Sequence, residues 1–198
     1  MDKIKLGVLV GGTSIEREVS KKSCENLLAN LDENKYDITV YHLPADGNTE
    51  WAKNIISNPP QIVLSALHGG NGENGSIQGF LHCLNIPYIG SKVLSSAICM
   101  NKAMAKTVMK ANHIQIPDHV FVMRGVDFSQ YEESIKLMGF PLIVKPNRGG
   151  SSIGVIVARN MEDIHYGIKN IMENYDDDVL IEKFIDGKEI NCCVLQGE

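Results

Sequence analysis

The sequence contains no apolar run approaching the roughly 20 residues that a helix needs to cross a bilayer. It has no excess of positive charge, since 19 Lys and Arg residues against 24 Asp and Glu residues give a net charge of −5. That balance argues against a surface that binds nucleic acid or anionic lipid non-specifically. The N-terminal apolar stretch is short, ends in Gly11-Gly12 and lacks a small-residue cleavage site, so it is typical of a buried strand and not of a signal peptide. We therefore expect no nucleic-acid partner and no membrane partner.

The cysteines form no C-x-x-C motif, and their number is odd: Cys24, Cys83, Cys99, Cys192 and Cys193. Each has apolar neighbours in the sequence, which predicts reduced core thiols in a cytoplasmic protein. No group of His, Cys, Asp and Glu residues has the spacing of metal ligands, so no metal site is predicted in this chain. A Gly-x-Ser-x-Gly nucleophile motif is also absent.

The 198 residues, 43% of them hydrophobic, are enough for one large domain or two small ones. Residues 3–10 form a near-continuous apolar run, typical of a central parallel strand that is covered on both faces. Strands and helices then alternate, which predicts a doubly wound α/β domain over residues 1–98. Its further strands are predicted at 37–43, 62–68 and 87–89, and its helices at 15–31, 50–56 and 76–85.

The order of elements changes in the second half, so we place a separate α+β domain at residues 99–198. A helical stretch over 95–113 leads to the turn-forming residues 116–118, and short strands follow that predict a mixed, partly antiparallel sheet. The last apolar segment, 189–195, has the pattern of a strand without a partner, and an unpaired edge strand is normally covered. Other strands are predicted at 119–123, 141–145, 154–157 and 179–185, and helices at 131–138 and 161–174.

A glycine-rich loop over residues 145–154 is the most informative segment. Gly149, Gly150 and Gly154 permit positive φ, so successive backbone N–H groups can converge on an anion. Lys145, at the end of an apolar strand, would hold a cation against the same anion. We favour a phosphate-binding loop over a merely flexible hairpin, although the pattern is neither a Walker loop nor a Rossmann fingerprint.

Two titratable residues follow predicted strands of the first domain. Glu16 is the third residue after Thr13, so it could complete a capping box, which on these residues alone is the favoured interpretation. The alternative is ligand binding, because open α/β sheets bind ligands at the carboxyl ends of their strands. His68 ends another strand before a loop with four glycines, and an incidental and a functional role stay equally open.

Charged residues elsewhere are ambiguous by pattern alone. Glu182 lies on a strand, where its carboxylate could bind an adenine edge while Glu189 accepts from ribose hydroxyls, but an ordinary edge strand with alternating charges fits better. Lys102 lies in a helical stretch, where a lysine usually belongs to a solvated face.

Five segments, taken together, resemble the D-alanine–D-alanine ligases of the ATP-grasp superfamily. They occur in the expected order and span nearly the whole chain, so the resemblance is much more specific than one glycine loop. The segments are GGTSIEREVS (11–20), ALHGGNGENGSIQG (66–79), MNKAMAK (100–106), IVKPNRGGSSIGV (143–155) and LIEKFIDGKEI (180–190).

The resemblance implies a Rossmann-like substrate domain followed by the first part of an ATP-grasp nucleotide-binding domain. It implies ATP-dependent phosphorylation of one D-alanine, attack by the amine of a second, and release of the dipeptide for peptidoglycan synthesis. ATP and Mg²⁺ are the implied cofactors, and a homodimer formed through the N-terminal domain is the implied assembly.

The resemblance also gives roles to residues. Glu16 would hold the ammonium of the first D-alanine and form a catalytic hydrogen-bonded set with Ser151, and His68 would lie near the carboxylate of that substrate. The implied ATP-binding residues are Lys102, Lys145, Ser151, Ser152, Glu182, Lys183, Ile185 and Glu189.

The chain departs from the family in two respects. Gly149 stands where many relatives have Glu in an Arg-Glu-Gly sequence, which leaves the backbone nest intact. The family also continues well beyond position 198, where its magnesium ligands and its substrate-choosing loop lie, so we expect the 198-residue chain alone to be inactive. A D-alanine–D-serine or D-alanine–D-lactate ligase, or a truncated homologue that binds nucleotide without catalysis, stays an alternative.

Overall fold

A computed structural model describes residues 2–194. The chain divides into two compact units: the first unit holds the residues up to 108 together with 148–151, and the second unit holds 109–147 and the residues from 152 onward. The predicted domains, 1–98 and 99–198, stay a prediction. No helix among residues 2–194 is long and apolar enough to cross a membrane.

The first unit contains a parallel sheet in which β1 lies between β2 and β3. Successive residues of a strand face opposite sides, so Val8 and Val10 pack on Cys24 of α1 while Leu9 packs on Ile55 of α2. Helices thus cover both faces, and the predicted doubly wound α/β arrangement is confirmed. The strands are β1 (Ile4–Gly11), β2 (Tyr36–Leu43) and β3 (Ile62–Ser65), and the helices are α1 (Arg17–Asn30), α2 (Glu50–Ser57), α3 (Ser76–Cys83) and α4 (Val93–Met100). A further helix, α5 (Lys102–Ala111), begins in the first unit, and its residues from 109 onward belong to the second.

Two predicted elements of this region differ from the structure. The helical stretch over 95–113 is interrupted at Asn101, whose side-chain Oδ1 accepts a hydrogen bond from the backbone N of Met104 at 3.0 Å. This asparagine cap starts a new helix, α5, with Lys102 as its first residue. The strand predicted at 87–89 is reduced to a single bridge between Tyr88 and Val63.

The second unit contains a sheet in the order β4-β7-β5-β6, and every described pair of strands is antiparallel. The sheet packs against α7, whose Ile164, Ile168 and Ile171 lie in one core with Leu142 and Val144. The predicted α+β unit is therefore present. Its elements are β4 (His119–Val122), α6 (Glu132–Met138), β5 (Leu142–Pro146), β6 (Ile156–Ala158), α7 (Met161–Asn174) and β7 (Val179–Lys183).

The predicted terminal strand over 189–195 is wrong for residues 189–194, which are exposed and outside any strand. Strand β7 ends at Lys183, and the described chain offers these later residues no neighbouring strand. Residue 195 lies outside the described residues.

The prediction of core thiols is correct only for Cys24. This residue lies on the face of α1 that packs against β1, whereas the four other thiols are exposed. Cys83 is the last residue of α3, and Cys99 lies near the end of α4. At these positions apolar neighbours in the sequence do not imply that the thiol is buried.

Candidate functional site

Glu16 lies directly before α1, at the N-cap position, and its side chain makes no capping hydrogen bond. The capping box with Thr13 is therefore wrong, because that motif needs the glutamate three residues inside the helix. Ser14 Oγ accepts instead from the backbone N of Glu16 at 3.1 Å. The Glu16 carboxylate accepts a hydrogen bond from Ser151 Oγ of the glycine-rich loop, within the first unit.

Gly69 allows the loop after β3 to approach this carboxylate. Its φ is +67°, and a Cβ atom placed there would lie 2.5 Å from Glu16 Oε2 and 2.6 Å from Ser14 Oγ. Any larger residue would displace the carboxylate. The backbone N of Gly69 also donates to Glu73 Oε2 at 2.8 Å, so Glu73 stabilises the loop in this position.

His68 is held by a residue that the sequence patterns did not indicate. Its Nε2 atom lies 2.8 Å from Ser23 Oγ of α1, and both residues are half-buried. Ser23 follows the N-cap residue Glu16 by seven positions, which corresponds to about two helical turns. This spacing was the available signal for Ser23.

Lys102 contacts the glycine-rich loop from the start of α5. Its Nζ atom donates to the backbone O of Gly149 at 2.7 Å. A cleft of the first unit is lined by Lys102, Gly149, Gly150 and Glu73, among others. Of the predicted site residues, the first unit therefore joins Glu16 to Ser151 and places Lys102 against the same loop.

The glycine-rich loop has an unusual backbone. Ser151 and Ser152 are consecutive residues with φ of 52° and 57°, and Gly149 and Gly154 have φ of 100° and 72°. Positive φ at non-glycine residues costs free energy and is concentrated at ligand-binding sites. Positive φ at these four residues agrees with the conformational freedom expected of the glycine-rich loop, and its binding of an anion stays a prediction.

In the second unit, Lys145 of β5 forms an ion pair with Glu182 of β7. Lys145 lies opposite Leu180 in the sheet, so Glu182, two residues further along β7, is its diagonal neighbour. Glu182 is 8% exposed. The sequence indicated separate roles for these residues, and only the strand register shows that they are partners.

Lys183 has a structural contact of its own. Its Nζ atom donates to the backbone O of Met138 at 2.7 Å and of Gly139 at 3.1 Å, at the C-terminal end of α6. Such a cation complements the negative end of a helix dipole. The other predicted nucleotide contacts of this unit, Ser152, Ile185 and Glu189, are exposed and lie outside helices and strands.

Residues 2–194 contain no group of three or more His, Cys, Asp or Glu side chains that could hold a metal ion.

Two family models match the chain: "D-ala D-ala ligase N-terminus" over residues 49–91 and "D-ala D-ala ligase C-terminus" over residues 108–198. The chain belongs to the D-alanine–D-alanine ligase family. The resemblance stated from the sequence is confirmed, and so is the predicted fold class.

Curated relatives in this ligase family are similar in sequence to this chain. The D-alanine–D-alanine ligase of Bacillus anthracis is 40% identical over 196 residues, which cover 98% of this chain and 62% of the relative. D-alanine–D-alanine ligase B of Clostridium perfringens is 37% identical over 98% of this chain and 62% of its own length. The chain thus spans less than two thirds of the length of these relatives.

Solved structures of the family agree in fold. The crystal structure of the Bacillus anthracis ligase complexed with ATP has a TM-score of 0.81 and 35% identity, and the match covers 94% of this chain and 58% of that one. VanG D-Ala:D-Ser ligase from Enterococcus faecalis has a TM-score of 0.80 and 27% identity, with coverage of 94% and 64%. The roles of individual site residues in this family member stay predictions.

Proposed function

We propose that this chain takes part in ATP-dependent ligation of two D-alanines through a D-alanyl phosphate, for peptidoglycan synthesis and cell shape in the cytoplasm. The observation that carries the proposal is the hydrogen bond between Ser151 of the glycine-rich loop and the Glu16 carboxylate. It joins the glycine-rich loop, which we propose binds phosphate, to a carboxylate beyond the carboxyl end of a parallel strand, where α/β folds bind ligands.

At the amino-acid end of the site, Glu16 would bind the ammonium of the first D-alanine. Ser151 donates to the same carboxylate, so it would orient the oxygens toward that ammonium. A charge-assisted hydrogen bond of this kind is stronger than a neutral one. His68, on the adjacent loop, would bind the carboxylate that becomes phosphorylated.

At the nucleotide end, lysines and backbone N–H groups would stabilise the phosphates. Phosphoryl transfer depends mainly on positioning and on electrostatic stabilisation, which Lys102, Lys145 and the loop with Ser151 and Ser152 would supply. Glu182 would accept a hydrogen bond from the adenine amino group, the backbone of Lys183 and Ile185 would bind the ring edge, and Glu189 would accept hydrogen bonds from the ribose hydroxyls.

Mg²⁺ belongs to the proposal as the ion that neutralises charge on the phosphates. Its ligands are expected in the part of these ligases that lies beyond the length matched by this chain. A homodimer formed through the N-terminal domain is also part of the proposal.

The test is calorimetric titration of the chain with D-alanine. The substitution Glu16→Gln removes the charge that would bind the ammonium, and it should weaken D-alanine binding by about tenfold or more. Glu18→Gln is the matched control, because Glu18 pairs with Lys21 at the surface of the same helix. Equal affinity in the two variants, or equal binding of D-alanine and L-alanine by the unmodified chain, would contradict the proposal.

Turnover by the 198 residues alone is a second test. The chain spans 62% of the length of a curated relative, so the matched region lacks part of what those ligases contain. With ATP, Mg²⁺ and D-alanine, the purified chain should release no phosphate above background, and measurable release would refute this expectation.

A D-alanine–D-serine ligase is the second candidate, favoured by the likeness to VanG from Enterococcus faecalis. The segment that chooses the second substrate in this family lies beyond the matched length. An assay separates the candidates: a full-length ligase that contains these residues is given D-alanine, D-serine or D-lactate as the second substrate. A truncated homologue that binds nucleotide without catalysis would bind ATP but not D-alanine.

A further inference from the structure

Ser23 occupies a position in α1 that local helix preference does not explain. It lies within the helix Arg17–Asn30, where serine is a weaker helix former than alanine. Its hydroxyl forms a hydrogen bond within the protein, since it lies 2.8 Å from Nε2 of His68, 45 residues away in sequence. The side chain therefore joins α1 to the end of the segment that follows β3.

We propose that Ser23 is a positioning residue that fixes the orientation and the tautomer of His68, an inference that rests on the proposed function of His68. The two ring nitrogens lie on opposite sides of the imidazole. With Nε2 occupied by the Ser23 hydroxyl, Nδ1 is the nitrogen left to contact a ligand. A neutral ring that binds a carboxylate through Nδ1 must carry its proton there, since a carboxylate only accepts hydrogen bonds.

The hydrogen bond then has a defined direction. The Ser23 hydroxyl donates to unprotonated Nε2, and Nδ1–H donates to the substrate carboxylate. Without the hydroxyl, the ring would be free to rotate and to move its proton to Nε2, the tautomer that an isolated imidazole side chain prefers in water. Nδ1 would then be an acceptor facing a carboxylate, which is repulsive.

Space for a ligand exists beside the ring. His68 lines a cavity of about 150 Å³ at the carboxyl ends of the parallel strands. Gly12, Ser14 and Gly69 line the same cavity, and Ser14 and Gly69 adjoin the Glu16 carboxylate. The cavity that His68 lines is thus also lined by neighbours of Glu16, the group proposed to bind the ammonium of the same amino acid.

The tautomer is measured directly by two-dimensional ¹H–¹⁵N correlation of the imidazole signals in the chain at a pH where the ring is neutral. Unmodified His68 should be mainly in the Nδ1–H form, and Ser23→Ala should shift it toward the Nε2–H form. Ser23→Thr keeps a hydroxyl at the same position and should restore the Nδ1–H form. An unchanged tautomer in Ser23→Ala, or a His68 that is already mainly Nε2–H, would overturn the proposal.

Binding gives the second readout. Ser23→Ala should weaken D-alanine binding about tenfold, because His68 would lose its hydrogen bond to the charged carboxylate of the substrate. Ser23→Thr should bind D-alanine within about twofold of the unmodified chain. ATP affinity should not change in either variant. If Ser23→Ala changes the tautomer but leaves D-alanine affinity unchanged, the positioning role toward substrate is refuted.

The two readouts separate this inference from the proposed function. Failure of the unmodified chain to bind D-alanine contradicts the proposed function of the site. The tautomer comparison still decides whether Ser23 controls His68, because it needs no substrate. Ser23→Ala is expected to fold, since alanine is the better helix former, and the backbone ¹H–¹⁵N spectrum checks this.

Discussion

The two units place their candidate functional side chains on different kinds of structure. In the first unit, β1 and β3 are mostly apolar and Glu16 and His68 lie in the segments that follow them. In the second unit, Lys145 and Glu182 lie within strands β5 and β7 and pair across the sheet. One site is built at strand ends, and the other is built on the strands.

This difference follows from how each sheet is covered. Helices on both faces of a parallel sheet bury its central strand, so β1 is apolar from Leu6 onward and its polar neighbours lie beyond its ends. An antiparallel sheet can keep one face open, and charged side chains there can pair across strands. Substitutions at the first site should therefore change ligand binding more than stability, while those at the second should change both.

The largest expected effect contrasts two lysines with the same proposed role. Lys145→Met removes the cation beside Glu182, which is 8% exposed, and should lower the free energy of unfolding by about 2 to 4 kcal/mol. Lys102→Met removes the hydrogen bond to the backbone O of Gly149 and leaves no buried carboxylate beside it in that contact, so it should cost less, about 1 kcal/mol. Urea denaturation measures both.

The control for Lys145→Met is the double variant with Glu182→Gln. Removing both charges leaves no buried carboxylate next to an apolar side chain, so part of the lost stability should return. Equal losses for Lys145→Met and Lys102→Met would break the contrast between strand-borne and loop-borne groups.

A second pair of variants tests two glycines that are crowded for different reasons. In the second unit, a Cβ at Gly167 of α7 would lie 2.9 Å from Val144 Cγ1, so Gly167→Ala should cost about 1 to 2 kcal/mol through overpacking. Gly69→Ala should cost about the same through its positive φ and its contact with the Glu16 carboxylate.

Ligand binding then separates these two variants. Gly69→Ala moves the carboxylate and should abolish measurable D-alanine binding, whereas Gly167→Ala should leave D-alanine affinity within about twofold of the original. The measurements are urea denaturation and calorimetric titration. Loss of D-alanine binding in both variants would show that it follows general stability and not the position of Glu16.

The sequence was sufficient for most elements of both units and insufficient for several contacts. Apolar runs and alternation predicted the strands because burial follows directly from these patterns, and the element order predicted the two kinds of sheet. The pairing of Lys145 with Glu182 depends on the register between strands that are distant in sequence, which no local pattern records. The same holds for Ser23 and His68.

The errors have physical causes of the same kind. Thr13 and Glu16 have the spacing of a capping box, but α1 starts one residue after Glu16, so Glu16 occupies the N-cap position and not the third helical position. Residues 189–194 have the alternation of a strand, but a strand needs a neighbour. In both cases the local pattern indicated only a preference for a cap or a strand, and the contacts with the rest of the chain determined which structure formed.

Helix caps provide a smaller effect that sharpens the same contrast. Asn160 caps α7 in the second unit, because its side chain accepts from the backbone N of Asp163 at 2.9 Å. Asn160→Ala should therefore lower the free energy of unfolding by about 1 kcal/mol. Glu16→Ala removes no capping bond but removes the exposed hydrogen bond from Ser151, so it should cost less, about 0.5 kcal/mol.

Urea denaturation measures both cap variants. A stability loss in Glu16→Ala as large as that in Asn160→Ala would indicate a structural function for Glu16. Asn160→Asp keeps a capping oxygen and should retain nearly full stability, which controls for the loss of side-chain bulk.

The smallest expected effect concerns thiol reactivity and leaves stability unchanged. Cys24 is packed in the core of the first unit, while Cys83, Cys99, Cys192 and Cys193 are exposed. Burial raises the pKa of the Cys24 thiol, so less thiolate is present at neutral pH than for an ordinary cysteine.

With a disulfide reagent, the four exposed thiols should react quickly and Cys24 at least about tenfold more slowly, because access to Cys24 needs local opening. Cys24→Ala should remove only the slow phase, and five equally fast thiols would contradict the buried position. The rate difference should narrow as the pH rises, because the thiolate fraction of Cys24 reaches its maximum at a higher pH than that of a thiol with an ordinary pKa.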